Sequence, residues 1–180
     1  MNQQDTASGI LKKGGTVIFP TDTVFGIGAL YKDKKAIKRI YRIKKTPTTQ
    51  QFPILISSIS QVQKLVEINP LARNLIKKYW PGALTIIMKS KKGSKKLGVR
   101  MPNLKITKEL IEKVGPIVGT SANIHGDITP TIYEKLNPKI IKSADFVLKG
   151  KCTQQKESTV VDVSENKLVI LRKGAIDVKK

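Results

Sequence analysis

Short β-branched runs alternate with helix-spaced apolar positions along nearly the whole chain, and this alternation confines it to the α/β class. Thr16-Val17-Ile18-Phe19 has the composition of a buried strand and is stopped by Pro20. Asp33 can then cap a helix in which Ile37, Ile40 and Tyr41 share a face, until the pattern decays at Lys44-Lys45-Thr46-Pro47. Ile54-Leu55-Ile56 predicts a second strand, and Val62, Leu65 and Val66 a short helix. Pro70 opens a helix carrying Leu71, Leu75, Ile76 and Tyr79, which Pro81-Gly82 ends. Further strands are expected at 84–88, 97–100, 116–118, 146–148, 159–163 and 168–171, with helices near 104–114 and 131–136. Some strands follow one another closely and others are separated by helices, which favours a mixed sheet over a purely parallel one. At 180 residues with 39% hydrophobic positions, one core suffices, so a single domain over residues 1–180 is expected.

The chemistry open to the chain is narrow. Cys152 is the one cysteine and His125 the one histidine, which excludes an internal disulfide framework and a cysteine-rich zinc site. Ser-His catalysis has equally little to draw on. No window approaches ~18 consecutive apolar residues. Met1-Asn2-Gln3-Gln4-Asp5 lacks the basic start and apolar stretch of a signal peptide, so a cytoplasmic protein with no membrane association is expected.

Lys and Arg number 34 against 13 acidic residues, a net charge of +21 that attracts polyanions such as RNA, nucleotides or pyrophosphate. Only Arg39, Arg42, Arg73, Arg100 and Arg172 are arginines, and the planar guanidinium is the better tool for bidentate recognition of phosphate or carboxylate. A basic surface selected for nucleic acid and one that drifted basic are both compatible with this bias. Two segments follow predicted strands, where α/β sheets hold their ligands: 20–28, Pro-Thr-Asp-Thr-Val-Phe-Gly-Ile-Gly, and 119–126, Gly-Thr-Ser-Ala-Asn-Ile-His-Gly. Taken singly, each is also a hydrogen-bonded turn, with Asp22 and Asn123 satisfying backbone donors. Neither is a P-loop, and Gly26-Ile27-Gly28 lacks the third glycine of a dinucleotide fingerprint.

Seven segments in a fixed order carry more information than either loop alone: 19–28, 40–45 (Ile-Tyr-Arg-Ile-Lys-Lys), 80–85 (Trp-Pro-Gly-Ala-Leu-Thr), 99–102 (Val-Arg-Met-Pro), 120–123 (Thr-Ser-Ala-Asn), 157–162 (Glu-Ser-Thr-Val-Val-Asp) and 171–176 (Leu-Arg-Lys-Gly-Ala-Ile). Together they resemble the YrdC-like family of threonylcarbamoyl-AMP synthases, in its short form. The resemblance implies a strongly twisted mixed sheet with flanking helices around a basic concave cavity. It implies condensation of L-threonine, bicarbonate and ATP to threonylcarbamoyl-AMP and pyrophosphate, with another enzyme complex transferring the threonylcarbamoyl group to tRNA. By the same resemblance, Lys44 and Arg100 are the catalytic cations. Lys44, Thr46, Lys96, Asn123, Thr131 and Arg172 would meet ATP, and Thr23, Arg100, Ser121 and Ser158 would meet threonine. Magnesium would arrive with the triphosphate rather than in a protein cage. The chemistry is consistent with such a residue set. A threonine carbamate attacks the α-phosphorus while pyrophosphate departs, negative charge accumulates, and fixed cations and hydrogen-bond donors are the fitting catalysts. Plainer readings stand beside these: a solvated Lys44, a structural salt bridge for Arg100, and turn capping for Thr23 and Ser158.

Three positions depart from the family. Lys44-Lys45-Thr46 stands where Lys-x-Arg is usual, Leu55 where many members place a histidine, and Thr48-Thr49-Gln50-Gln51 where the loop tends to be basic or proline-containing. A lost charge-assisted phosphate contact costs ~1.5–3 kcal/mol, roughly ten- to a hundredfold in affinity, unless Lys45 or Arg42 takes it over. A chain so altered could bind nucleotide without completing the reaction. The alternative from another class is a non-catalytic binder of nucleotide, tRNA or double-stranded RNA. With aromatics at 5% and none interleaved with a basic stretch, such binding would rest on shape and phosphate contacts.

Overall fold

A computed structural model describes residues 2–179. In chain order the elements are α1 (Gln3–Lys12), β1 (Val17–Phe19), β2 (Gly26–Leu30), α2 (Lys34–Lys44), β3 (Ile54–Leu55), α3 (Ile59–Gln63), α4 (Pro70–Tyr79), β4 (Leu84–Lys89) and β5 (Lys96–Arg100). They continue with α5 (Lys105–Val114), β6 (Ile117–Ser121), a 3₁₀ turn (Tyr133–Lys135), α6 (Pro138–Ser143), β7 (Phe146–Val147), β8 (Thr159–Asp162) and β9 (Val169–Arg172). The strands form one sheet in the order β7-β1-β2-β6-β3-β5-β4-β8-β9. The pairs β1–β7, β3–β5 and β4–β8 are parallel and the others antiparallel, so the sheet is mixed, as the sequence pattern implied.

Local chemistry explains most of the helices. Asp33 accepts from Ala36 N at 2.9 Å at the start of α2, and Asn69 accepts from Ala72 N at 2.8 Å ahead of Pro70 at the start of α4. The end of α2 is set by Lys45 in the left-handed region (φ 52°), its N–H returning to Arg42 O and its neighbour Thr46 N–H to Tyr41 O. This termination aims Lys44 inward.

Alternating residues of β1 serve two cores, so both faces of the sheet are covered there. Val17 and Phe19 pack with Ala7 and Leu11 of α1 and Leu110 and Ile111 of α5. Ile18 packs with Ile27, Ala36 and Ile40 under α2 and Ile140 of α6. A third cluster joins Leu75 and Ile76 of α4 to Ile86, Met88, Val99 and Val161 at the other end of the sheet.

Three elements depart from the sequence pattern. The segment 26–30, expected as loop up to Gly28, is strand β2, paired on both sides. Gly28 is there because of crowding. A Cβ at that position would lie 2.5 Å from Val118 O and 2.9 Å from the Phe19 ring, so absence of a side chain admits the neighbouring backbone rather than making a turn. Helix α1 is largely polar, but Asn2 accepts from Asp5 N at 2.8 Å and Ala7 and Leu11 are fully buried. The expected helix at 131–136 is only the 3₁₀ turn, and α6, capped by Asn137, follows it. Strand β6 also runs to Ser121, past the expected end at 118.

Candidate functional site

The ends of β1, β5, β6 and β9, the start of β8 and the C-terminus of α2 converge on one cavity of about 730 Å³. That is ample for a nucleotide and an amino acid together. Thr23, Lys44, Thr46, Lys96, Arg100, Ser121, Asn123, Ser158 and Arg172 all line it. Thr131 does not. It stands one residue past Pro130, whose carbonyl is tied to Phe25 N at 2.9 Å, outside the lining.

The cations of the cavity are already partnered. Arg100 Nη2 donates to Asp22 Oδ1 at 2.5 Å, a pair whose side chains are only 7% and 3% exposed. Its Nη1 donates to Thr23 Oγ1 at 2.8 Å and its Nε to Gly82 O at 3.0 Å. Three of the five guanidinium N–H groups are thereby engaged and two are left for a ligand. Arg100 is therefore a buried salt bridge that keeps one N–H on each of Nη1 and Nη2 unengaged. Burial pushes its pKa down and the Asp22 carboxylate pushes it back up. Thr23 is committed too. Thr21 Oγ1 donates to Val24 O at 2.7 Å, so the 2.9 Å contact between the two hydroxyls has Thr23 as donor. Thr23 then offers a ligand a lone pair, not a proton.

Lys44 is buried, and its Nζ donates to Ser121 O at 2.5 Å, Asn123 O at 2.6 Å and Asn123 Oδ1 at 3.1 Å. All three ammonium hydrogens are used inside the protein. Lys44 is thus not the free phosphate contact of the sequence reading. It pins the 121–123 backbone to α2 and presents its charge to the cavity. Ser121 Oγ donates to the same Asn123 Oδ1 at 2.6 Å, and Asn123 Nδ2 donates to Asp127 O at 2.7 Å, which fixes the amide. Burial pulls the Lys44 pKa down to about 8, opposed by the negative charge of Glu157.

On the other wall, Arg172 Nη1 pairs with Glu157 Oε2 at 2.7 Å and Nε donates to Ser158 O at 3.1 Å. Ser158 Oγ is within 2.9 Å of Thr85 Oγ1. Lys96 pairs with Asp162 at 3.1 Å. Thr46 is the exception, since its buried Oγ1 has no hydrogen-bond partner among the described residues and Thr46 lines the cavity. Arg42 and Lys45, the expected replacements for an arginine at position 46, are exposed and outside the lining. Leu55 lines the cavity where a histidine was noted as usual, while His125 enters the lining from the 124–130 loop. Among the described residues no group of three or more His, Cys, Asp or Glu side chains gathers to hold a metal ion. No helix among them is long and apolar enough to cross a membrane.

The profile of the Sua5–YciO–YrdC family, described as "Telomere recombination", matches residues 9–174. The chain belongs to this family. A Methanocaldococcus jannaschii relative provisionally named a threonylcarbamoyl-AMP synthase is 34% identical over 174 residues, covering 93% of this chain and 83% of the relative. The crystal structure of Pyrococcus abyssi Sua5 complexed with L-threonine superposes with TM-score 0.87 at 33% identity, covering 97% of this chain and 55% of that one. The Escherichia coli YciO structure superposes with TM-score 0.90 at 30% identity, covering 99% and 93%. The α/β fold with a mixed, helix-flanked sheet is thus the fold of YciO and of the part of Sua5 that superposes.

Two outcomes follow for this family member. Deprotonation of Lys44 above about pH 8 removes a positive charge from the cavity. A bound anion favours the protonated form and raises this pKa further, so affinity for a polyphosphate such as ATP should be constant below about pH 8 and fall as the pH rises from about 8 toward 10. Calorimetry across that range checks it, and a flat profile contradicts it. Thr46→Arg would place a cation where only an unpartnered hydroxyl now stands. Fluorescence titration should show ATP bound about tenfold more tightly.

Proposed function

We propose that the chain is an L-threonylcarbamoyladenylate synthase, a nucleotidyltransferase acting on L-threonine, bicarbonate and ATP in tRNA modification. The observation that carries this reading is the presence of two anchored arginines, Arg100 and Arg172, in the lining of one cavity large enough for both substrates. Relatives named threonylcarbamoyl-AMP synthase, and a similar structure holding L-threonine, support it.

The threonine carboxylate meets the two unengaged N–H groups of Arg100, with Ser158 nearby and the free lone pair of Thr23 available to a donor group of the amino acid. The nucleotide lies toward Arg172, Asn123 and Lys96. The amino nitrogen, deprotonated to the free amine, forms an N–C bond to bicarbonate as water is expelled, and an oxygen of the resulting carbamate attacks the α-phosphorus as the bond to pyrophosphate breaks. Negative charge grows on the phosphorus oxygens and the leaving group, and Lys44 answers it through space because its hydrogens are spent on the 121–123 backbone. The rigidity of that backbone is the second contribution, since positioning without reorganisation lowers the barrier. Magnesium enters with the triphosphate. The product would pass to a threonylcarbamoyl-transfer complex that acts on tRNA in the cytoplasm.

A second reading, binding of tRNA or double-stranded RNA without catalysis, is favoured by one feature. Lys34, Lys35, Lys38, Arg42 and Lys45 are exposed along α2, and none is in an ion pair among the described residues. One assay separates the readings. Purified protein with ATP, magnesium, bicarbonate and labelled L-threonine is expected to release pyrophosphate only when threonine is present. No threonine-dependent pyrophosphate at high protein concentration would overturn the synthase. RNA affinity falling by decades between about 50 and 200 mM salt would then support the alternative.

A further inference from the structure

Glu157 sits where two walls of the cavity meet. Its Oε2 accepts from Arg172 Nη1 at 2.7 Å, and its Oε1 accepts from Thr129 Oγ1 at 3.1 Å. The carboxylate therefore latches the 126–130 loop to the end of β9 across the cavity. Its backbone is immovable. Glu157 O accepts from Ala175 N at 2.8 Å, and Gly174 passes so close that a Cβ there would lie 2.3 Å from Glu157 O and from Ser158 C. The side chain, 30% exposed, is the part free to swing.

Arg172 thus already holds an anion, one supplied by the chain. A second anion that approaches Arg172 does so beside Glu157, with two like charges a few ångströms apart on one guanidinium, so the two compete. We propose that Glu157 is a built-in competitor for Arg172 and so a specificity-determining residue of the site, reserving this arginine for polyphosphate and keeping monoanions off it. The proposal rests on the nucleotide-binding reading above. A polyphosphate carries enough charge to displace a partly exposed carboxylate, whereas bicarbonate or an amino-acid carboxylate gains no more from Arg172 than Glu157 does. The cavity contains two arginines able to clamp a carboxylate, and Glu157 directs threonine to Arg100.

The test compares wild type with Glu157→Gln and Glu157→Ala in calorimetric titrations with ATP, inorganic pyrophosphate and adenosine, and with ATP in the presence of acetate as a competing monoanion. Removing the competing charge should tighten ATP and pyrophosphate about five- to tenfold in both variants and leave adenosine unchanged. Acetate should now weaken ATP binding in the variants and not in wild type. Polyphosphate affinity that is unchanged or weaker in both variants, with adenosine still bound as in wild type, would show that Glu157 positions Arg172 instead, and overturns the proposal alone. Wild type binding neither ATP nor pyrophosphate would overturn the nucleotide reading and the proposal together.

Discussion

A buried cation needs a counter-charge, and the pair Arg100–Asp22 is how this fold meets that requirement. Its 2.5 Å contact joins the end of β5 to the turn after β1, while Nε holds Gly82 O in the turn after α4. Three segments far apart in sequence are fixed by one guanidinium. Removing either member of a buried pair typically costs ~3–5 kcal/mol, because the survivor is left charged without a partner. The same pair also decides which donors remain for a ligand.

That principle repeats around the cavity. Lys44 is held by two carbonyls and an amide oxygen, Arg172 by Glu157 and Ser158, and Lys96 by Asp162. The chain carries a net charge of +21, yet its cavity cations face internal acceptors, so the surplus lies elsewhere, in part along the exposed face of α2. Ligand recognition in such a site depends on exchange of partners more than on raw charge. Preorganised dipoles and cations of this kind stabilise developing charge without having to move when it appears.

Much of this was legible in the sequence, for identifiable reasons. The helices α2 and α4 carry side-chain caps and apolar faces that periodicity detects. The strand β2 was hidden because Gly26 and Gly28 suggest a turn, and only the close approach of Val118 and Phe19 explains why glycine belongs in a strand there. Helix α1 was hidden because its mostly polar composition masks the two buried apolar positions, Ala7 and Leu11. Lys44, Arg100, Asn123 and Arg172 were visible through motif resemblance, but their internal partners were not. Asp22 and Arg100 lie 78 residues apart, and no local pattern reveals such a pair. Glu157 was within a quoted motif, yet its bond to Arg172 depends on the β8–β9 pairing. Thr131 was the position that sequence likeness placed at the site and the fold did not.

The most direct test of the account is the L-threonine dissociation constant of Arg100→Lys, with ATP as the internal reference. Lysine keeps the charge near Asp22 but loses the planar fork whose two unengaged N–H groups are assigned to the amino-acid carboxylate. The account predicts a threonine affinity at least tenfold weaker with ATP affinity unchanged. Equal losses for both ligands, or threonine bound as tightly as by wild type, would contradict it.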